Sequence, residues 1–222
     1  MLPGRFLDLD ARVGLTISGS NVSAWADQSG AGNHLTAPGN AGTQPIASTC
    51  APLGGAVSTF WDGNDQLQSA GLVPPSAPGA AFTWWIVCAY ADTLGRAVMA
   101  TAASGGNRYS QNVSGTGKLE DWVAGVSFST SSAASRATGL SMVMTSNVSP
   151  ATAATMRVTG ALTTLSNPTA TVLTPSGVLT VGSIGGAIYF KGHVCRILGM
   201  TGTISATDLA LLTAYSLTTY GV

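Results

Sequence analysis

Apolar and polar positions alternate with a period of two along most of this chain. In the segment FTWWIVCAY, residues 82–90, the even-numbered side chains from Phe82 to Tyr90 share one face. Trp85 and Val87 share the other face, which is also apolar. The pattern therefore predicts a central strand that is covered on both sides.

Five further segments have the same period and are bounded by clusters of Gly, Ser, Asn and Pro, which favour turns. Strands are predicted at 119–128, 139–146, 155–160, 177–184 and 187–200. Short strands at this spacing, without helices between them, favour an all-β fold in which two antiparallel sheets form a jelly-roll sandwich. A chain of 222 residues is long enough for one such domain, spanning residues 1–222.

One helix is predicted, in the segment 205–222 at the end of the chain. Ser205 and Asp208 form a start that resembles a capping box, and Gly221 is a stop signal. Apolar residues occupy most of the helix circumference, so it should lie between other elements or between the domain and a partner. The outer face of Trp85 is one expected seat for it.

The composition narrows the classes of partner. Charged residues are 8% of the chain and the formal net charge is zero, whereas an average soluble domain has roughly 25% charged residues. No basic field is present to attract phosphates, so nucleic acid is not expected as a partner, and no apolar run has the length of a membrane span. A neutral, weakly charged surface favours packing against neighbouring molecules.

The opening segment, MLPGRFLDLDARVGL, lacks the apolar core of a signal peptide, so no export is expected. The three cysteines are too few and too scattered for a disulfide framework or a zinc site, and they are predicted to be buried thiols. They are Cys50, Cys88 and Cys195. Glycosylation sequons begin at Asn21, Asn112 and Asn147, but they have meaning only on a secretory route.

Acidic residues are scarce, and Glu120 is the single glutamate. Glycoside hydrolysis usually requires two carboxyl groups on either side of the scissile bond, about 5 to 5.5 Å apart in retaining enzymes. Asp8 and Asp10 share one face of a predicted strand, where we expect them to be solvated or bonded within a turn. Glu120 and Asp121 are adjacent, so in a strand they face opposite ways.

The remaining candidate pair, Asp62 and Asp65, flanks Gly63-Asn64 and is predicted to form a hairpin turn through its side chains. The histidines, His34 and His193, have no recognisable serine or cysteine nucleophile beside them and are predicted to lie in a turn or the core. The glycine-containing segments lack the lysine of a phosphate-binding loop. The sequence therefore predicts no catalytic residue and no enzyme activity.

Six segments in one order carry a resemblance to a known family. They are LDLDARVGLT, VSAWADQSGAGNHL, the Gln-Pro at 44–45, FWDGNDQL, FTWWIVCAY and the ending GHVCRILGMTGTISATDLALLTAYSLTTYGV. This order resembles the concanavalin A-like lectin/glucanase superfamily, in the laminin-G-like form common in bacterial surface proteins and tailed-phage virion proteins. The resemblance covers both ends of the chain and thins between about 105 and 185.

The chain departs from that family at one notable point. Relatives often have Ala-Glu where this chain has Cys195 and Arg196, so any role of that acid is absent here. The hydrolytic branch of the superfamily also needs clustered Glu and Asp, which this chain lacks. The resemblance therefore implies a lectin-like sandwich without the hydrolytic chemistry.

The superfamily often binds calcium through oxygen ligands, which a hard cation prefers. Suitable oxygens occur at Asp27, Asn33, Asp62, Asn64 and Asp65. They are too loosely patterned to predict a metal site, so no cofactor is predicted and calcium stays an open alternative.

The segment WADQSGAGN, residues 25–33, has two interpretations. In the structural one, Trp25 is buried between the sheets, Asp27 and Ser29 bond backbone amides, and Gly30 and Gly32 adopt positive φ. In the functional one, the segment is a rim loop that holds a sugar while an exposed tryptophan stacks on it. The weak ligand-binding candidates are Trp25, Asp27, Trp61, Asp62, Asn64 and Trp122.

The fold alone does not determine the function. The first hypothesis is a non-catalytic virion structural protein, a capsid decoration protein of a tailed bacteriophage. It would be assembled in many copies in the host cytoplasm, against the major capsid protein or other virion proteins. The alternative is a carbohydrate-binding adhesin or tail-fibre receptor-binding module that contacts a cell-surface glycan.

Overall fold

A computed structural model of the chain describes residues 2, 4–39, 41–72, 81–92, 96–101, 107–112, 119–123, 126–129, 140–146, 153–158, 161–166, 178–184 and 188–222. Side chains are described for 2, 4–39, 42–71, 81–92, 98–100, 178–184 and 189–222. These residues form strands and one C-terminal helix.

The strands are β1 (Arg5–Asp10), β2 (Leu15–Ser18), β3 (Asn21–Trp25), β4 (Leu35–Thr36), β5 (Ile46–Cys50), β6 (Ala56–Asp62), β7 (Leu67–Leu72), β8 (Phe82–Tyr90), β9 (Arg96–Thr101), β10 (Asn107–Asn112), β11 (Leu119–Val123), β12 (Val126–Ser129), β13 (Leu140–Ser146), β14 (Ala153–Val158), β15 (Ala161–Ser166), β16 (Val178–Val181), β17 (Ser183–Ile184), β18 (Ile188–Tyr189) and β19 (Lys191–Thr201). Single 3₁₀ turns occur at Ala41–Thr43 and Ala51–Leu53, and the helix α1 is Ala206–Tyr220.

The strands form two antiparallel layers. We call the sheet that α1 packs against the helix-side sheet. Its strand order is β1, β19, β8, β13, β14 and β15. Strand β6 also pairs with the N-terminal part of β19, and β5 pairs with β6. In the second sheet the order is β3, β4, β7, β16, β9, β10, β11 and β12. Strand β3 also pairs with β2 and, through Asn21, with β5, so it connects the layers at one corner. The predicted all-β sandwich is confirmed.

The core between the sheets is built by side chains from both layers. Leu7, Ile86 and Ile197 of the helix-side sheet are fully buried together with Leu67 and Val181 of the second sheet. Removing this apolar surface from water stabilises the fold by about 25 cal/mol per Å².

Strand β8 has the bounds and the alternation predicted for residues 82–90. Trp84 and Ile86 lie in the core between the sheets, whereas Trp85, Val87 and Ala89 lie in a second buried cluster on the outer face. The outer face is covered, as the pattern predicts.

Helix α1 provides that cover. It begins after Ser205, whose hydroxyl accepts a hydrogen bond from the backbone N–H of Asp208, and ends at Gly221 in the left-handed conformation. Tyr215 and Tyr220 pack against Trp85, with ring centroids 5.8 and 6.5 Å away. The predicted caps and the predicted seat on the Trp85 face are therefore confirmed. In the described part of the chain, the helix is too short and too weakly apolar to cross a membrane.

A β-bulge in β19 explains how two adjacent residues face the helix. The register with β8 shifts between Val194 and Arg196, so both Cys195 and Arg196 lie on the outer face. Arg196 forms ion pairs with Asp8 at 2.9 Å and with Asp10 at 3.2 Å. The shared face of the two aspartates is confirmed, and Asp10 is bonded within a turn as expected, because it accepts from the backbone N–H of Arg12 at 3.0 Å. The expectation that they are solvated is wrong, because both are buried in ion pairs.

All three cysteines are free and buried, as predicted. Cys88 lies in the core between the sheets, and burial raises the pKa of its thiol. Cys50 and Cys195 lie beneath α1, where their thiols hydrogen-bond to each other.

Three predicted strands are each divided in two. The segment 119–128 forms β11 and β12, 177–184 forms β16 and β17, and 187–200 forms β18 and β19. In 177–184 and 187–200 the break is a single residue, Gly182 and Phe190 respectively, which an apolar pattern alone does not mark.

Candidate functional site

Asp27 organises the segment 25–33 through its carboxylate. One oxygen accepts hydrogen bonds from the backbone N–H groups of Asp8 at 2.8 Å and Ser29 at 2.9 Å. The other accepts from the Ser29 hydroxyl at 2.7 Å and from the backbone N–H of Asn33 at 3.0 Å. Gly30 and Gly32 have φ of 89° and 77°, which L side chains rarely adopt. The structural interpretation of the segment is confirmed.

The segment 25–33 also covers the free edge of β1. Besides the contact with Asp27, the backbone carbonyl of Asp8 accepts from the N–H of Gln28 at 2.8 Å. The side-chain amide of Asn33 donates to the carbonyl of Phe6 at 2.6 Å. Exposed strand edges can pair with strands of other molecules. This loop hydrogen-bonds the free N–H and C=O groups of the β1 edge without adding a strand.

The predicted sugar-stacking tryptophans do not form an exposed platform. Trp25 and Trp61 are both completely buried. The indole N–H of Trp61 donates to the Thr59 hydroxyl at 2.9 Å, and its ring lies so close to Gly182 that a Cβ there would be 2.2 Å from it. The prediction that Trp61 stacks on a sugar is therefore wrong, because neither sugar nor water reaches its ring. Trp122 lies on β11, and its side chain is outside the described residues.

The turn from Asp62 to Asp65 uses its side chains as predicted. Asp62 accepts from the backbone N–H of Asn64 at 3.2 Å, and Asp65 accepts from the backbone N–H of Asp62 at 2.8 Å. It is not a hairpin, because β6 pairs with β5 and β19 while β7 pairs with β4 and β16. The turn instead carries the chain from one sheet to the other, which a local pattern does not distinguish.

Most of the carboxylates with described side chains have structural partners. Asp8 and Asp10 bind arginines, Asp27 binds amides, and Asp208 accepts from Ser205. Within the described residues, no group of three His, Cys, Asp or Glu side chains lies together as a metal site would require. The oxygens of Asp27 and Asn33 also belong to a different loop from those of Asp62, Asn64 and Asp65. The neighbouring carboxylates Asp62 and Asp65 bond within their own turn, and Asp65 is buried.

Several side chains on the outer face of the helix-side sheet lie outside the cluster that α1 covers and are partly exposed, and this surface is the candidate site. We call it the Phe60 face and define it by the partly exposed residues Ser48, Phe60 and His193. Ser58, on the same side of β6, is completely buried. Phe60 and His193 are directly paired across β6 and β19, with ring centroids 5.0 Å apart, and both are partly exposed. Ser58 shares a hydrogen bond of 3.0 Å with Nδ1 of His193.

The backbone fixes the position of His193. Its neighbour Gly192 has φ of 149°, and a Cβ there would be 2.1 Å from the carbonyl oxygen of Ala89. Only glycine allows β19 and β8 to approach so closely at this point. Burial lowers the pKa of His193, so the ring is neutral at pH 7. The nearest charged residues in the sheet register are Asp62 and Lys191, which lie opposite each other and have opposite charges.

Sequence reasoning did not select Phe60 or His193 as ligand-binding residues. Phe60 precedes Trp61 in a strand, so one of the two rings must face the core and the other must face outward. Trp61 is the predicted stacking ring, but the structure places it inward. Alternation puts Thr59 and Trp61 on one face of the strand and Phe60 on the other. It does not say which face meets the core, and the structure shows that it is the face of Thr59 and Trp61.

No protein-family model and no curated protein matches this chain. Solved structures do share its fold. Domain 4 of AbnA, a GH43 extracellular arabinanase from Geobacillus stearothermophilus in complex with arabinotriose, matches with a TM-score of 0.70 and 9% identity. The match covers 95% of this chain and 98% of that domain, so the two have nearly the same extent.

Longer proteins contain the same fold over about half of their length. A GH54 α-L-arabinofuranosidase matches with a TM-score of 0.68 and 14% identity, over 90% of this chain and 51% of that one. The binding domain of botulinum neurotoxin DC, in complex with rat synaptotagmin II, matches with a TM-score of 0.66 and 10% identity, over 96% and 52%. These likenesses agree with the all-β sandwich fold seen in the structure.

Proposed function

We propose that this chain is a non-catalytic carbohydrate-binding module and that the Phe60 face takes a neutral sugar. The observation that carries the proposal is the partly exposed Phe60 ring paired with a neutral imidazole on an open sheet face. A sugar ring presents apolar C–H groups to an aromatic face and hydroxyl groups to polar neighbours. Phe60 supplies the first kind of contact, and Ser48 and His193 supply the second, while the buried Ser58 holds the His193 ring through their hydrogen bond.

The comparisons support a carbohydrate as the class of ligand. The arabinanase domain with nearly the same extent is in complex with arabinotriose, and a botulinum neurotoxin of the same fold depends on two ganglioside molecules for cell entry. The first describes a neutral oligosaccharide bound by a domain of this size. Neutral arabino-oligosaccharides are therefore the first ligands to test.

The absence of catalysis is part of the same proposal. Bond cleavage needs two converging carboxyl groups, whereas Asp8, Asp10, Asp27 and Asp208 are occupied by arginine, amide or hydroxyl donors. A hydrolase assay on the same oligosaccharides would give no release of reducing ends.

The binding test is isothermal titration calorimetry of the full chain with arabino-, xylo- and cello-oligosaccharides. Phe60→Ala is expected to weaken binding about tenfold or more, which corresponds to about 1.4 kcal/mol. Phe60→Leu keeps most of the packing volume and removes only the aromatic face, so it separates loss of stacking from loss of folding. Val57→Ala is the matched control, because Val57 is 41% exposed and lies on the opposite face of the same strand.

If the wild-type chain binds none of these neutral oligosaccharides, the proposed function is rejected. If it binds and Trp122→Ala abolishes binding while Phe60→Leu does not, the Phe60 face is the wrong site.

A second candidate function is a structural role in a virion, as a capsid decoration protein. The specific observation in its favour is the exposed side of α1, where Leu211 and Leu217 are 60% and 67% exposed. An uncharged surface of this kind favours contact with another protein of the particle. Mass spectrometry of purified particles from a phage that encodes this chain would test it, with one or a few copies per capsomer as the expected result. The localisation to a virion depends on the same measurement.

A further inference from the structure

We infer that the ligand of the Phe60 face is a linear, uncharged oligosaccharide that lies across the strands, contacting one side chain from each of five neighbouring strands. This inference rests on the proposed function and adds the shape and direction of the ligand. It names Ser18, Asn21 and Ile46 as further binding residues.

The register of the strands places these residues in one row. His193 of β19 lies opposite Phe60 of β6, and Phe60 lies opposite Ile46 of β5. Ile46 is paired with Asn21 of β3, and Asn21 is paired with Ser18 of β2. Directly paired residues in antiparallel strands project from the same face of a sheet, so the five side chains share the outer face.

Burial agrees with that assignment. The neighbours Val22 and Trp61 are completely buried on the inner face. All five members of the row are exposed or partly exposed, and Ile46 is 37% exposed. The row is therefore a continuous accessible line rather than a set of separate positions.

The length of the row fits an oligosaccharide rather than a single sugar. Four strand spacings of about 4.8 Å give a path about 19 Å long, measured along the surface and across the corner where β3 pairs with β5. Several sugar rings placed end to end occupy such a distance, whereas one ring covers only the Phe60 and His193 positions. Each added ring then meets a further side chain: first Ile46, then Asn21, then Ser18.

The chemistry of the row favours an uncharged ligand. It contains one aromatic and one aliphatic side chain, flanked by an imidazole, an amide and a hydroxyl, and none of these is ionised at pH 7. Asp62 and Lys191 lie beside one end of the row and carry opposite charges, so their summed field favours neither an anion nor a cation. A sulfated or uronic-acid polymer has no cationic partner in the row.

The experiment measures affinity against chain length. Arabino-oligosaccharides from the monosaccharide to the hexasaccharide are titrated into the full chain, and the affinity is expected to rise with each ring until the row is filled. Asn21→Ala and Ser18→Ala are expected to weaken the longest ligands about fivefold, the effect of about one lost hydrogen bond. The affinity for the shortest ligand that binds should be the same in both variants as in the wild type, because that ligand reaches only Phe60 and His193.

Controls separate this inference from the proposed function and from misfolding. Ile17→Ala alters an exposed residue beside Ser18 on the same strand, assigned to the opposite face by its pairing with Val22, and should leave every affinity unchanged. Binding that depends on Phe60 but does not increase with ligand length would overturn the row and leave the proposed function intact. Absence of binding to all lengths would overturn both. Tighter binding of a charged oligosaccharide than of its neutral counterpart would also overturn the inference.

Discussion

The carboxylate of Asp27 accepts a hydrogen bond from the backbone N–H of Asp8, 19 residues earlier in the chain, at 2.8 Å. A side chain thus occupies the position on the free edge of β1 that a neighbouring strand would otherwise take. The same carboxylate closes its own loop through Ser29 and Asn33. One aspartate therefore both folds the loop and fastens it to the sheet.

Replacing Asp27 with alanine should destabilise the protein strongly. The change leaves the buried N–H of Asp8 and the loop donors without an acceptor, and the expected loss is about 3 kcal/mol in the free energy of unfolding. Chemical denaturation measures it. Gln28→Ala is the control, because its side chain is exposed and bonds only within the loop. Equal losses for the two variants would show that Asp27 is not the organising residue.

Arg196 connects both aspartates of β1 with the helix. It pairs with Asp8 and Asp10, donates to the Tyr215 hydroxyl at 3.0 Å, and lies over the Trp85 ring. Burial works to lower the pKa of Arg196, but the charges of the two aspartates outweigh it and raise the pKa.

Arg196→Met should cost about 3 to 5 kcal/mol, because it leaves buried carboxylates short of their counter-charge. Burial alone raises the pKa of Asp10, and the hydrogen bonds and charges of Arg12 and Arg196 reverse that effect and hold it below its usual value. In the variant the pKa of Asp10 should therefore rise, which carboxyl-carbon NMR titration measures. Arg12→Met, at a side chain 39% exposed, should have a smaller effect on stability. A larger loss of stability for Arg12→Met than for Arg196→Met would show that Arg196 is not the main counter-charge of the two aspartates.

The raised pKa of Asp65 predicts that its charge destabilises the folded protein at neutral pH but not at acidic pH. Burial, and then the nearby Asp62 carboxylate, raise the pKa of Asp65 from 3.8 to about 6, although its bond from the Asp62 N–H opposes the shift. The folded state therefore binds its proton more tightly than the unfolded state does. The resulting destabilisation is present above about pH 6, shrinks as the pH falls through the folded pKa, and is absent below 3.8.

Asp65→Asn keeps an oxygen acceptor for the Asp62 N–H and removes the charge. It should raise the free energy of unfolding at pH 7 by up to about 3 kcal/mol and leave it nearly unchanged near pH 3.5. Denaturation curves at the two pH values check this difference. A gain of the same size at both would show that the charge of Asp65 is not the cause.

The sequence predicts the architecture well because its signals are local. The alternation in residues 82–90 gives β8, and the caps at Ser205 and Gly221 give α1, since each depends on neighbours a few residues away. The Phe60 face depends on the pairing of β19 with β6 and of β6 with β5, which brings His193 beside a residue 133 positions earlier. No local pattern encodes that pairing, nor which of Phe60 and Trp61 faces the core. The same limit explains why the turn at Asp62 resembles a hairpin in sequence although its two strands join different sheets.

Tyr215 and Tyr220 of α1 give a final prediction, because the same substitution at the two positions should have opposite effects. Both rings pack on Trp85, and their own centroids are 6.0 Å apart. The Tyr215 hydroxyl accepts hydrogen bonds from Arg12 and Arg196. The Tyr220 hydroxyl is buried, and no group in the described part of the chain bonds to it.

Tyr220→Phe therefore removes a desolvated, unpaired hydroxyl and should stabilise the protein by up to about 1 kcal/mol. Tyr215→Phe removes an acceptor for two guanidinium groups and should destabilise it by about 1 to 2 kcal/mol. Thermal unfolding of the two variants and the wild type gives the comparison, and shifts of the same sign would show that the two hydroxyls do not differ in their bonding.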